Sequence, residues 1–141
     1  MKAQPIMTKP DNNLTLSILK ETLAICKFDS QADIPHWLSI VNCKFLSITK
    51  TAEELSIVCE QTIIPKQLAS TVSVVKDWYA LKIEGPLDFS LTGILSTLLQ
   101  PLAEEKISIF ALSTYDTDYI LVKEKNLKQA VEILQRQCVV I

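Results

Sequence analysis

The alternation of apolar and polar positions is sharpest from Gly85 to Glu124, in GPLDFSLTGILSTLLQPLAEEKISIFALSTYDTDYILVKE. Leu91, Ile94, Leu95, Leu98 and Leu102 recur at helical spacing and make one apolar face. The pattern predicts a helix from Ser90 to Leu102, with Asp88 or Ser90 accepting the free N–H groups of its first turn. Pro101 removes one backbone bond late in that helix, so a kink or an early end is expected. Ile107, Ile109 and Ala111 alternate with Ser108, Phe110 and Leu112 as in a strand with a buried face, and Tyr119 to Val122 is a second β run. Between the two lies a polar hexamer, Ser113-Thr114-Tyr115-Asp116-Thr117-Asp118, too rich in hydroxyls and acids to be core. If the strands flank the helix, the hexamer sits beside the helix start. That spot is polar and concave, with a positive helix end on one side and carboxylates on the other.

The rest of the chain is read in the same terms. Met1–Asn13 shows no periodicity and reads as a loose leader or as a strand only at its end. Leu14, Leu16 and Ile18 mark one strand, Lys20-Glu21 a turn, and Thr22–Phe28 a second strand. Asp33 and Pro35 suit the entry to a short helix or 3₁₀ turn holding Trp37 and Leu38. Phe45–Thr49 and Leu55–Cys59 are further strands, and Gln61–Asp77 is a connector with Pro65 near the start of a short helix. Trp78–Glu84 alternates as a strand. Asn126 caps a last helix, with Gln129 completing a capping box and Leu127, Ala130, Val131 and Leu134 as its buried stripe. Cys138–Ile141 can close the sheet.

An internal echo runs through these elements. Laid without a gap, Thr49–Val58 matches Ser113–Val122, with hydroxyl residues, an acid and an apolar β run in the same order. The second half reads β-α-β-β-α with room for a final strand. That is the ferredoxin-like arrangement, an antiparallel sheet with both helices on one face. The expected fold is therefore α+β, two ferredoxin-like (βαββα) units in tandem, at residues 14–70 and 76–141. The first is degenerate because only IPHWLS stands where its first helix belongs.

GPLDFSLTGI, the PLAEEKISI turn and STYDTDYILV resemble the ACT domain, a small ligand-binding regulatory module, in its tandem, amino-acid-sensing branch. The similarity is close from Trp78 onward and looser over Leu14–Ala69. It implies the same ferredoxin-like fold and ligand binding at paired sheets or helices. Carried over residue by residue, it assigns ligand contacts to Leu91, Gly93 and Ile94 on the helix-opening segment and to Thr114, Tyr115 and Asp118 on the loop. Thr92, Ser113 and Asp116, which lie between or beside them, complete the candidate ligand-binding residues. Arginine-sensing members carry an acidic residue near the helix start where this chain has Leu91, so an arginine side chain would lose its partner there.

The residues alone favour the same chemistry. A free amino acid presents a carboxylate and an ammonium a few ångströms apart. The N–H groups opening the helix suit the carboxylate, and Asp118 or Asp116, helped by the Thr114 hydroxyl, suits the ammonium. Alternatives stay open at single positions. Gly93 permits either close approach of a ligand or tight helix–strand packing. Asp118 either holds a ligand or stabilises its turn, Asp88 is a cap or a contact, and Tyr115 is a lid or a dimer contact.

Composition narrows the classes further. With 141 residues, 48% of them hydrophobic, the chain can fill a core, which disfavours disorder. A net charge of −2 gives no basic footprint for nucleic acid. No segment is apolar for long enough to span a bilayer and no signal-peptide region is evident, so a soluble, cytoplasmic protein is expected. Cys26, Cys43, Cys59 and Cys138 are widely spaced, a pattern of reduced structural thiols rather than a metal site. His36, the single histidine, lies far from the polar hexamer, and no serine or cysteine has a base nearby in sequence. No catalytic residue, metal or cofactor is expected. The chain reads as a regulatory sensor of a small molecule, an amino acid by its chemistry, acting on a partner protein that the residues do not identify. The alternative is an interaction module that keeps the fold without a ligand. A homodimer is expected, because a small sheet with one bare face is commonly covered by a second copy.

Overall fold

A computed structural model describes residues 14–84 and 93–141. They divide into two compact units, one formed by the residues through Leu19 together with Tyr79–Ile141, the other by Lys20–Trp78. The elements in chain order are β1 (Thr15–Phe28), β2 (Leu46–Lys50), β3 (Leu55–Glu60), a 3₁₀ turn (Gln61–Ile63) and β4 (Ser73–Ile83). They continue with α1 (Ile94–Glu104), β5 (Ile109–Ser113), β6 (Asp118–Lys123), α2 (Glu124–Leu134) and β7 (Val139–Val140). The fold is mixed α+β, and β1 and β4 each contribute residues to both units.

In the C-terminal unit the run is β4-α1-β5-β6-α2-β7. β1, β4, β6 and β5 are neighbours in that order, with β7 on β1. Leu98 and Leu102 of α1 and Ala130, Ile133 and Leu134 of α2 are buried against Leu16, Leu81, Ile83, Ile120 and Val122. Both helices thus cover the sheet face that carries these residues, and removing such side chains from water is the main stabilising term here. β5 and β6 are antiparallel, but β7 pairs with β1 in parallel, Thr15 opposite Val139 and Leu16 opposite Val140. The expectation of a purely antiparallel sheet is corrected at that strand.

Three helix details differ from the sequence expectation. α1 opens at Ile94 with Gly93 as its N-cap, while Gly85, Asp88 and Ser90 lie outside the described residues. Pro101 does not end α1 early, since the helix runs on to Glu104. α2 starts at Glu124 directly after β6, with Lys123 at the N-cap and no side-chain cap. No linker remains between strand and helix, so Asn126 falls inside the first turn and forms no capping box.

In the N-terminal unit β1 pairs antiparallel with β3, and β3 with β2. Cys26, Phe28, Leu38, Leu55, Ile57 and Cys59 form its core, with Trp37 and Cys43 packed on the margin. β1 is one strand through Lys20-Glu21, in place of the expected turn; neither residue has the backbone freedom of glycine or proline's fixed φ. Of the short helix or 3₁₀ turn expected at Asp33–Leu38, a single turn forms, closed by the Leu38 N–H donating to the Pro35 carbonyl at 3.1 Å, and the connector yields the 3₁₀ turn and the first residues of β4. Asp77 sits in the left-handed region within β4 (φ 69°). There Gln61 braces it twice, accepting from the Asp77 N–H at 2.7 Å and donating to the carboxylate at 3.1 Å.

All four cysteines are free, with Cys26, Cys59 and Cys138 buried and Cys43 half-buried. The Cys59 thiol hydrogen-bonds to Cys26, which draws the Cys26 pKa down and pushes that of Cys59 up, burial adding to the latter. Burial raises Cys43 and Cys138 as well.

Candidate functional site

The polar hexamer closes the β5–β6 hairpin. Pairing is regular from Ile109 opposite Val122 to Ser113 opposite Asp118, which leaves Thr114–Thr117 as the loop. The Thr114 N–H donates to the Thr117 carbonyl at 2.8 Å. The Thr114 hydroxyl donates to the same carbonyl at 3.1 Å and accepts from the Thr117 N–H at 3.3 Å. A side-chain oxygen that bonds the local backbone in this way fixes a turn without help from elsewhere. Thr117 is buried, and its hydroxyl donates to the Ile83 carbonyl at 2.5 Å. The loop is therefore latched to the end of β4. The hexamer is not wholly outside the core, because the Thr117 hydroxyl finds an acceptor there.

Strand alternation fixes which face the carboxylate shares. Ser113 and Asp118 lie on the same side as Ile109, Ile120 and Val122, and those three belong to the core beneath the helices. Asp118 is thus on the helix-bearing face. The level of the helix start follows from connectivity. α1 leads through Glu105–Ser108 into the start of β5, at the end away from the hairpin loop. Its 11 residues span about 16 Å. The 5 residues of β5 return about 17 Å. The helix N-terminus consequently lies at the end of the unit that holds Ser113, Thr114 and Asp118.

The two sides differ in what they offer. Gly93 has φ 85°, and its carbonyl accepts from the Thr97 N–H at 2.8 Å and the Thr97 hydroxyl at 2.6 Å. The first turn of α1 carries no acidic residue and no side-chain cap. Its leading N–H groups, at the positive end of the helix dipole, therefore lack a side-chain acceptor from the cap position. On the hairpin, the Asp118 carboxylate accepts from the Ser113 hydroxyl at 2.5 Å. Asp116 is exposed and Tyr115 projects with 82% of its surface accessible. Of the residues singled out from sequence, Ser113 meets Asp118 directly, Thr114 holds the loop, and Gly93 and Ile94 open the helix. Leu91 and Thr92 lie outside the described residues.

Thr117, Ile83 and Gln137 were not singled out by sequence for any role at this end. Gln137 donates its side-chain amide to the Thr97 carbonyl at 3.1 Å. Thr97 is four residues before Pro101, so this is the carbonyl that a residue other than proline would have bonded. Pro101 was the available signal, since the group it leaves unpaired needs a donor from somewhere. Among the described residues no group of three or more His, Cys, Asp or Glu is placed to hold a metal ion. No helix among them is long and apolar enough to cross a membrane.

The C-terminal unit thus runs β-α-β-β-α-β with an acidic hairpin at the end that holds the helix start, and comparison with known proteins adds its family. Residues 73–136 match the family model described as ACT domain, and a second model, of an N-terminal domain, matches residues 21–67. The chain belongs to the ACT domain family. A crystal structure of an Agrobacterium tumefaciens protein is similar over 93% of this chain and 94% of that one, at 32% identity and a TM-score of 0.81. The bovine (Bos taurus) "cytosolic arginine sensor for mTORC1 subunit 1" is 31% identical over 102 residues, 67% of this chain and 31% of the sensor. The chain thus spans about a third of that relative's length. Clostridium acetobutylicum aspartate kinase, an allosteric enzyme, shares the fold at a TM-score of 0.64 and 12% identity, over 84% of this chain and 33% of the kinase.

Proposed function

We propose that the C-terminal unit binds a free amino acid or a closely related metabolite and that the chain serves as the sensing part of a regulatory assembly. The observation that carries this reading is the pairing, at one end of one unit, of an α1 N-terminus without a side-chain cap and the Asp118 carboxylate on the same sheet face. The α-carboxylate sits on the N–H groups of Gly93, Ile94 and Leu95, where backbone donors and helix dipole act together. The ammonium replaces the Ser113 hydroxyl on Asp118, exchanging a neutral donor for a charged one, which is the stronger bond. Gly93, without a Cβ, leaves room beside those donors. Thr114, Tyr115 and Asp116 rim the opposite side, and the family resemblance adds Leu91 and Thr92 as ligand contacts in this reading. Kinship with an arginine sensor supports an amino acid as the ligand class. A second copy of the chain and a regulated protein are its partners in this reading.

Thermal unfolding of the purified chain against each of the twenty amino acids tests it. A ligand at about 100 times its Kd adds about 2.7 kcal/mol of stability, a shift of several degrees for a domain of this size. Asp118→Ala is expected to abolish the shift while the protein stays folded. The Ser113–Asp118 bond also suits a second reading, in which that carboxylate only closes the hairpin and the fold serves protein contacts alone. No shift with any amino acid would favour the latter.

A further inference from the structure

The turn that closes the β5–β6 hairpin is built twice in the chain. β2 and β5 start at Leu46 and Ile109, β3 and β6 at Leu55 and Asp118, and 46 to 109 and 55 to 118 are both steps of 63. In the first hairpin Thr51 donates its N–H to the Glu54 carbonyl at 2.9 Å, and its hydroxyl accepts from the Glu53 and Glu54 N–H groups at 3.1 and 3.2 Å. Thr114 makes the corresponding bonds to Thr117 in the second. On this step Glu54 stands where Thr117 does. A glutamate closes the same turn, so the turn itself has no need of the Thr117 hydroxyl.

That hydroxyl is spent outside its own hairpin. Thr117 is one of two buried polar residues among the described residues, at 5% exposed, and a hydroxyl that deep must find an acceptor. It donates to the Ile83 carbonyl at 2.5 Å. β4 and β6 are neighbours in the sheet, Ile83 is the last residue of β4 and Asp118 the first of β6. The anchor is fixed in turn, because Ile83 is fully buried and the adjacent Glu84 N–H donates to the Thr15 carbonyl of β1 at 2.8 Å. Ser113 opposite Asp118 is the last pair of the β5–β6 ladder, and the ends of a ladder are where pairing opens most readily. The Thr117 bond thus holds the strand immediately before the Asp118 carboxylate, at the point where the hairpin would otherwise fray. An ammonium gains most from a carboxylate that is already in place, since the cost of ordering it is met before binding.

We infer that Thr117 is a positioning residue for the ligand site, its hydroxyl holding the Asp118 carboxylate, through the bond to Ile83, where the ammonium of an amino acid meets it. This rests on the function proposed above and deepens it, by naming a residue that sets affinity without touching the ligand.

Isothermal titration of the full chain and its Thr117 variants with each of the twenty amino acids tests the inference, with circular dichroism and a urea midpoint for every variant. Thr117→Val keeps the shape of the side chain and removes the hydroxyl; it is expected to fold and to bind about tenfold more weakly. Thr117→Ser keeps the hydroxyl and is expected to bind as the unaltered chain does, even where the lost methyl lowers its midpoint. A folded Thr117→Val protein with a lower midpoint and unchanged affinity would make the bond structural only and overturn the inference. So would a Thr117→Ser protein that binds as weakly as the valine variant. Thr117→Ala carries the same expectation as Thr117→Val and takes its place if the valine protein does not fold. Absence of binding to the unaltered chain would instead overturn the proposed function together with this inference.

Discussion

Gly93 and Pro101 are the two residues of α1 least suited to a helix, and each is matched by a local solution. Gly93 sits at the N-cap with φ 85°, outside the helical region, in a conformation that any side chain makes costly. Neither alternative raised from sequence, ligand approach or tight packing, is needed to account for it. Gly93→Ala is expected to cost about 1–2 kcal/mol by this penalty alone, read as a lower midpoint in urea; an unchanged midpoint would show that the turn relaxes freely. Pro101 deprives the Thr97 carbonyl of its usual donor, and Gln137 supplies one. Gln137→Ala should cost about 1 kcal/mol, since an acceptor is left unmade. In a Pro101→Ala background the restored N–H takes over that carbonyl, and the same Gln137 substitution should cost measurably less. A double-mutant cycle reads this coupling directly, and strictly additive effects would rule the account out.

The hairpins show what a sequence pattern carries at the scale of the element and where it stops. β2, β3 and β6 follow the alternation of their residues within one position at each end, and β5 starts two residues later than its alternation does, at Ile109. The echo between the two hairpins was also legible, but matching Thr49 to Ser113 sets the step one residue too long. In a strand one residue is the difference between two faces. That slip made Glu54 the counterpart of Asp118, whereas the register assigns that place to Leu55. What decides the register is the threonine opening each loop, through bonds that composition cannot display. Thr51→Val and Thr114→Val are accordingly expected to destabilise by similar amounts, up to about 1 kcal/mol, in the same urea titration; a large difference between them would break the equivalence. The nearness of the hexamer to the helix start was readable because topology alone brings the two together. Its supports were not, because Thr117 and Ile83 are 34 residues apart, and Gln137 and Thr97 are 40. Local periodicity carries no information over such separations.

At the scale of the whole molecule the chain's order and its units do not coincide. The residues through Leu19 belong with Tyr79–Ile141, and Leu14, Leu16 and Ile18 are bonded to the final strand through the Val139 N–H, the Ile141 N–H and the Ile141 carbonyl. Half-by-half reading of a linear sequence places those residues with their neighbours in the chain, and only long-range pairing moves them. Both units bury thiols, and this gives the molecule a common alkaline liability. Cys43, Cys59 and Cys138 are raised above their ordinary value of 9.0, while Cys26 is lowered and offsets part of the effect. Below that value folded and unfolded chains both keep the protons of the three raised thiols, and the stability linked to those groups is fully present. Above it the unfolded chain loses those protons first and gains relative to the fold, so stability falls as pH rises. Urea midpoints measured between about pH 8 and pH 10 should therefore decline, and Cys138→Ala, though less stable throughout, should decline less steeply than the unaltered chain. Parallel slopes for the two proteins would assign the alkaline loss to other groups, the lysines first among them.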